Sequence, residues 1–166
     1  ARDLYESEAH FVQELLQNAD DNGYAEGAVP EVAFCLARHG GQVAFIAANN
    51  ERGFTEADVR AITDISRSSK DRLSGTTTGH KGVGWKSVFR VCSSPTVLSQ
   101  GWRFRFGSRA LDFLTPEWLS DGDYASLPAE VKEAHAEGQT VFFLPLADAE
   151  SAAAIEAEML AMEGDP

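Results

Sequence analysis

The sequence predicts an α+β domain, a two-layer arrangement of a mainly antiparallel sheet with helices on one face. Three observations predict it. Residues 7–22 carry apolar side chains at helical spacing (Phe11, Val12, Leu15, Leu16, Ala19). Two apolar runs, Glu31 to Arg38 and Gln42 to Ala48, flank His39-Gly40-Gly41 and read as a β-hairpin. Further helices and strands then follow in the order helix, loop, helix, strands.

Each element has a local reason. Ser7 suits the first helix as a cap, and Asn22-Gly23 is a stop signal. Thr55 opens a short helix to about Ile65, with Glu56 and Asp58 in its first turn. Residues 66–81 are polar and read as a mobile loop. A helix is expected from near Gly84 to about Val91, then strands at 95–99 and 102–106 joined by Gln100-Gly101. Residues 107–125 read as mixed loop, 128–136 as a helical turn, and Gln139 to Leu146 as a strand ended by Pro145. The Ala- and Glu-rich tail, Glu150 to Glu163, is helical by propensity. The expected organisation is one domain over 1–146, with 147–166 as a C-terminal helix or linker.

Composition excludes several classes. With 43% hydrophobic and 24% charged residues, the 166-residue chain is globular rather than disordered. It has no apolar stretch long enough to span a bilayer and no charged-then-apolar leader. Ala1 in place of an initiating Met is expected of a piece of a longer protein. The net charge of −12 disfavours a nucleic-acid partner. The charge is uneven: residues 50–109 hold 11 Lys or Arg against 5 Asp or Glu, and the rest hold 3 against 21. A basic middle in an acidic domain suits a small phosphorylated ligand, and equally a set of solvated faces. Cys35 and Cys92 sit in apolar runs and read as buried free thiols, which fits a reducing, intracellular setting, cytoplasmic or nuclear. The four histidines form no metal-ligand pattern.

Three groups of residues carry possible chemistry. Glu14, Asn18, Asp21 and Asn22 are spaced i, i+4, i+7, i+8 and share one face of the first helix, at the rim of its apolar stripe. An Asn amide oxygen suits Mg²⁺, which takes few protein ligands plus phosphate oxygens and water. A Glu one turn away suits proton abstraction from water, and an Asp can accept from a ligand amine. An ordinary solvated helix face would carry the same residues. The second group is Gly79-His80-Lys81-Gly82-Val83-Gly84-Trp85, a G-x-x-G-x-G run opening a helix, where backbone N–H groups can approach an anion. It is not a dinucleotide fingerprint, whose glycine order is reversed and which follows a strand. It is not a P-loop either, since Trp85 intervenes before Lys86-Ser87. The third is Asn49 to Phe54 at a strand end, where an amide can read a base edge and Gly53 can let a base lie flat; a plain turn also explains it. Thr140, at the start of the last strand, joins this group.

Order and spacing together carry more than each motif alone. Glu14-Leu-Leu-Gln-Asn18-Ala-Asp-Asp21, then a strand with a Gly-containing turn, a helix, a polar lid, G-x-x-G-x-G, and a strand with Thr near its start resembles the Bergerat-fold ATP-binding domain. That domain is shared by gyrase, the ninety-kilodalton heat-shock chaperone, histidine kinases and MutL. Leu4 to Asn22, Asn49 to Phe54, Ile65-Ser-Arg-Ser-Ser-Lys70 and Lys81 to Val91 are most similar to its sacsin and NO VEIN-like branch, over about residues 3–106. The resemblance implies ATP and Mg²⁺ as cofactors. It implies that Asn18 holds Mg²⁺ against the phosphates and that Glu14 orients or deprotonates the hydrolytic water. Asp21, with Asn22 beside it, would sit near the sugar. Asn49, Gly53 and Phe54 would meet the adenine, with Thr140 bound to it through water. Gly79 to Trp85 would give N–H groups to the phosphates, and Ser69 and Lys70 would approach from the lid. The wider family has Asp-x-Gly-x-Gly where this chain has Asn49-Asn-Glu-Arg-Gly53, so Asn49 offers an amide oxygen where a carboxylate is usual. The implied function is Mg-dependent ATP binding within a chaperone-like or regulatory protein. Hydrolysis would be slow and dependent on other domains of the parent, with client proteins and an ATP-dependent dimer as possible partners. The alternative is a degenerate, non-hydrolysing interaction scaffold of the same fold.

Overall fold

A computed structural model describes residues 10–71, 82–92, 94–107 and 116–163. The helices are α1 (Phe11–Asp20), α2 (Glu56–Asp71), α3 (Gly82–Val91), α4 (Asp121–Ala125), α5 (Ala129–Ala136) and α6 (Ala149–Glu163). The strands are β1 (Val32–His39), β2 (Gln42–Asn49), β3 (Thr96–Ser99), β4 (Trp102–Arg105), β5 (Glu117–Trp118) and β6 (Thr140–Pro145). They form one six-stranded sheet in the order β1-β2-β6-β3-β4-β5, with every pair antiparallel. The last strand in sequence thus lies in the middle of the sheet, and Thr140 comes level with Asn49.

The β1–β2 hairpin closes on Gly40-Gly41, both at positive φ (61° and 80°), as a two-residue turn between twisted strands requires. On the first face of the sheet, Phe45, Val97, Phe104 and Leu144 pack against Phe11, Val12 and Leu15 of α1, Ile62 of α2, Val88 of α3 and Ile155 of α6. The Phe11 ring meets Phe45 edge-on at 5.2 Å between centroids, and Phe34 stacks on Phe45 at 5.5 Å.

The second face is also covered in part. Ala44, Ile46, Ala48, Leu98, Val141 and Phe143 form a second cluster with Val131 of α5. The expectation of helices on one face is therefore corrected: β2 and β6 are sandwiched between helices. The unbroken apolar runs Val43 to Ala48 and Val141 to Leu144 fit strands buried on both faces. The cover does not reach the middle of β1, so Cys35 on its second face is exposed, contrary to the reading of two buried thiols. Cys92 is buried.

Three boundaries differ from expectation. Helix α2 runs on through Asp71, because the polar residues after Ile65 include no helix breaker before Gly75. Helix α3 begins at Gly82, two residues earlier than expected. Within the supposed loop 107–125, β5 and α4 are ordered, the latter capped by Ser120 Oγ accepting from the Asp123 N–H at 3.1 Å.

Among the described residues α1 has no local side-chain cap: His10 makes no cap bond, and the expected cap Ser7 lies outside the described residues. Glu158 of α6 supplies one from 146 residues away. Its two carboxylate oxygens accept from the Val12 and Gln13 N–H groups at 2.7 and 2.8 Å. Burial raises the Glu158 pKa, and these two bonds oppose the rise.

Candidate functional site

Helix α1 lies over the end of the hairpin, and its polar rim faces the strand end at Asn49. Asn18 and Asn22 are half-buried there, whereas Asp21 is exposed. The Asn22 Nδ2 donates to Asn49 Oδ1 at 3.0 Å. The Asn49 Nδ2 donates in turn to the Tyr24 hydroxyl at 2.9 Å and to the Glu31 carbonyl at 2.7 Å. Tyr24 gives its own proton to the Ala19 carbonyl at 2.6 Å. Asn49 is buried, and both ends of its amide are engaged in tying α1 to the hairpin.

A second chain of hydrogen bonds runs beneath it. The Phe54 N–H donates to Ser99 Oγ at 2.8 Å, Ser99 Oγ lies 2.8 Å from Thr140 Oγ1, and Thr140 Oγ1 donates to Glu51 Oε1 at 3.0 Å. Thr140 has one proton, and it goes to Glu51, so the Ser99 proton goes to Thr140. Every donor points the same way, and the chain ends on the Glu51 carboxylate. Glu51 is only 6% exposed, which is unusual for a glutamate and requires partners of this kind.

The two networks meet at a cavity of about 20 Å³. Leu15, Ala19, Val32, Phe34, Ala47, Phe54 and Phe142 form its apolar wall, and Asn18, Asn22, Asn49, Glu51 and Thr140 its polar groups. An apolar lining with a few convergent polar groups is the usual make-up of a small-molecule site. Among the described residues, the Asn18 amide has no hydrogen-bond partner, so its oxygen remains open to a ligand.

The structure therefore brings together Asn18, Asn22, Asn49, Phe54 and Thr140. Glu14 is half-buried on α1, one turn before Asn18, and does not line the cavity; it lies close enough to Glu158 to raise that carboxyl further. Asp21 points outward, accepting only a long contact from Gln17 Nε2 at 3.5 Å. Gly53 has its own structural reason: its φ is +99°, and a Cβ there would lie 2.6 Å from Gln100 Nε2, which donates to the Arg52 carbonyl. Ser69 and Lys70 lie on the last turns of α2 and Gly82, Val83, Gly84 and Trp85 on the first turns of α3, where helix N–H groups lack intrahelical partners. Gly79, His80 and Lys81 fall outside the described residues. Glu51, Ser99 and Tyr24 are the site residues that sequence reasoning missed. Among the described residues, no group of three or more His, Cys, Asp or Glu is arranged to hold a metal, and no helix is long and apolar enough to cross a membrane.

A family model of the Sacsin domain matches residues 3–108, which take in α1 through β4 and every candidate residue except Thr140. This chain belongs to the Sacsin domain family. Protein NO VEIN of Arabidopsis thaliana is 38% identical over 129 residues, covering 76% of this chain and 4% of that protein. Sacsin of Homo sapiens is 30% identical over 108 residues, covering 57% of this chain and 2% of that protein. This Sacsin domain thus spans a few per cent of the length of the curated relatives it matches.

Proposed function

We propose that this Sacsin domain binds Mg·ATP in the cleft between α1 and the β2–β6 strand ends, as the nucleotide-binding part of a longer chaperone-like or regulatory protein. The observation that carries the reading is the convergence of Asn18, Asn22, Asn49, Phe54 and Thr140 on one cavity. They come from three separate stretches of chain and are the residues a Bergerat-type site would use.

The chemistry of the donor set fits. The open Asn18 amide supplies the single neutral oxygen that Mg²⁺ needs when phosphates and water provide the remainder. The Phe54 and Phe142 rings offer apolar contact to a base. The Asn49 oxygen already receives the Asn22 amide, and the Glu51 carboxylate, held by Thr140, is a second acceptor at the cavity wall. The N–H groups opening α3, which a helix leaves without intrahelical partners, suit phosphate oxygens. When bound, Mg²⁺ neutralises phosphate charge and polarises the phosphoryl group. Glu14, a turn before Asn18, is then the side chain available to orient or deprotonate a water, and hydrolysis belongs to the longer protein.

Volume sets a condition. A cavity of about 20 Å³ holds one water and no purine, so binding has to part α1 from the hairpin. The same observation, with Asn49 fully engaged, favours a second reading: a scaffold that keeps the fold without the ligand. Asn18→Ala distinguishes a working site. It should remove the Mg-dependent part of ATP affinity while leaving the circular dichroism spectrum unchanged. An unchanged affinity would end the metal role. In the full-length protein, Glu14→Ala should spare ATP binding and abolish turnover; surviving turnover would exclude Glu14 as the base.

A further inference from the structure

Strand β1 ends the sheet, pairing with β2 alone among the described residues. It runs eight residues in unbroken register, with no proline, lysine or bulge, the devices that ordinarily blunt such an edge. Its outward groups can be identified. The Asn50 N–H donates to the Glu31 carbonyl, so residue 31 directs its peptide groups at β2. By alternation, Ala33, Cys35, Ala37 and His39 do the same, while Val32, Phe34, Leu36 and Arg38 present theirs to the open edge.

We infer that β1 pairs antiparallel with β1 of a second copy of this chain about a two-fold axis at Cys35, joining two six-stranded sheets into one. The sequence 31–39 is self-complementary in that register. Phe34 faces Leu36 of the other copy, Val32 faces Arg38, Ala33 faces Ala37, and Glu31 faces His39, an acidic group against a basic one at both ends. The residues that must form hydrogen-bonded pairs, 32 with 38 and 34 with 36, are those whose peptide groups point outward. A one-residue slip would place inward-pointing groups there. The pairing makes about eight main-chain hydrogen bonds, two for each of four such pairs. Phe34, already stacked on Phe45, would extend its aromatic row to the partner's Leu36. On the other face the small side chains of Ala33, Cys35 and Ala37 meet, with Glu130 of α5 near Cys35. The two-fold is isologous and closes, giving a dimer and no fibre. This contact needs no nucleotide, although Val32 and Phe34 of β1 also line the proposed ATP cavity.

The central pair makes a direct probe. Cys35 opposite Cys35 is a non-hydrogen-bonded pair, with Cα atoms about 4.5 Å apart, inside the range a disulfide spans. Diamide supplies the oxidant, taking the two thiol hydrogens as the S–S bond forms. Without nucleotide, oxidised protein should run on a non-reducing gel at about twice 18.0 kDa. Cys35→Ser should abolish that band. Cys92→Ser should leave it, since Cys92 is buried. Sedimentation velocity on reduced protein should show a concentration-dependent dimer. Glu31→Lys should weaken it at least tenfold, and Glu31→Lys combined with His39→Glu should restore it, with circular dichroism confirming the fold of each variant. A monomer at all concentrations overturns the inference. So does a dimer that forms only with Mg·ATP, or one that neither crosslinks through Cys35 nor responds to Glu31→Lys.

Discussion

Helix α1 carries Asn18 and one wall of the candidate site, and its start is held by a residue from the other end of the chain. Replacing Glu158 tests how that hold works. The carboxylate accepts from two consecutive helix N–H groups at 2.7 and 2.8 Å, and among the described residues no local side chain caps them. Glu158→Ala leaves both groups without their protein acceptor, and losing such a cap costs about 1–2 kcal/mol. For a domain of this size that is a fall of about 2–8 °C in Tm, readable by calorimetry or far-ultraviolet circular dichroism. Charge is a separate matter. The Glu158 pKa is raised, with burial as the leading cause, so the fold favours its protonated form over the charged one. The folded value lies above the unfolded one. Its contribution is therefore full below the ordinary carboxylate range and lost as pH rises through the raised value. Glu158→Gln keeps one of the two acceptor oxygens without the charge. It should cost about half as much as Glu158→Ala at neutral pH and flatten stability against pH just above that range. Equal damage from Gln and Ala would mean that charge, not acceptance, holds the helix. A neutral Glu158→Ala would mean that the α1–α6 contact contributes nothing.

Three further outcomes follow from the site. Asn49→Asp, which restores the carboxylate of the wider family, should destabilise the domain by about 2–4 kcal/mol in urea titration, because it loses the donors to Tyr24 and Glu31 and sets a charge beside a carbonyl; an unchanged midpoint would mean that those bonds are dispensable. Thr140→Val should cost about 1–3 kcal/mol by leaving the Ser99 hydroxyl without its acceptor and removing the Thr140 donor from Glu51; the more conservative Thr140→Ser should recover most of it. Maleimide should label Cys35 in the native protein and reach Cys92 only on unfolding, because burial pushes the Cys92 thiol up to about 12 and closes access to it; labelling of both at equal rates would contradict the packing of α3.

Much of this architecture is legible in the sequence because it rests on periodicity. The α1 stripe, the Gly40-Gly41 hairpin and the Gln100-Gly101 turn are local signals, and each falls where spacing places it. What was not legible is non-local or too short. A two-residue β5 and a five-residue α4 leave no periodic trace. The cover on the second face was signalled only by the continuous apolar runs of β2 and β6, which also fit other readings. In the site, Asn18, Asn49 and Thr140 could be found from motif order. Glu51 could not: an acid in a polar turn reads as solvated, and its burial depends on Thr140, 89 residues later. The engagement of Asn49 by Tyr24 and Asn22 was hidden for the same reason.

We propose the cleft under α1 as a Mg·ATP site. Titration calorimetry of ATP into this domain, with and without Mg²⁺, tests it most directly. Binding should strengthen with Mg²⁺, and Asn18→Ala should remove that gain. No binding of ATP, ADP or any other purine nucleotide would contradict the proposal and leave the scaffold reading in its place.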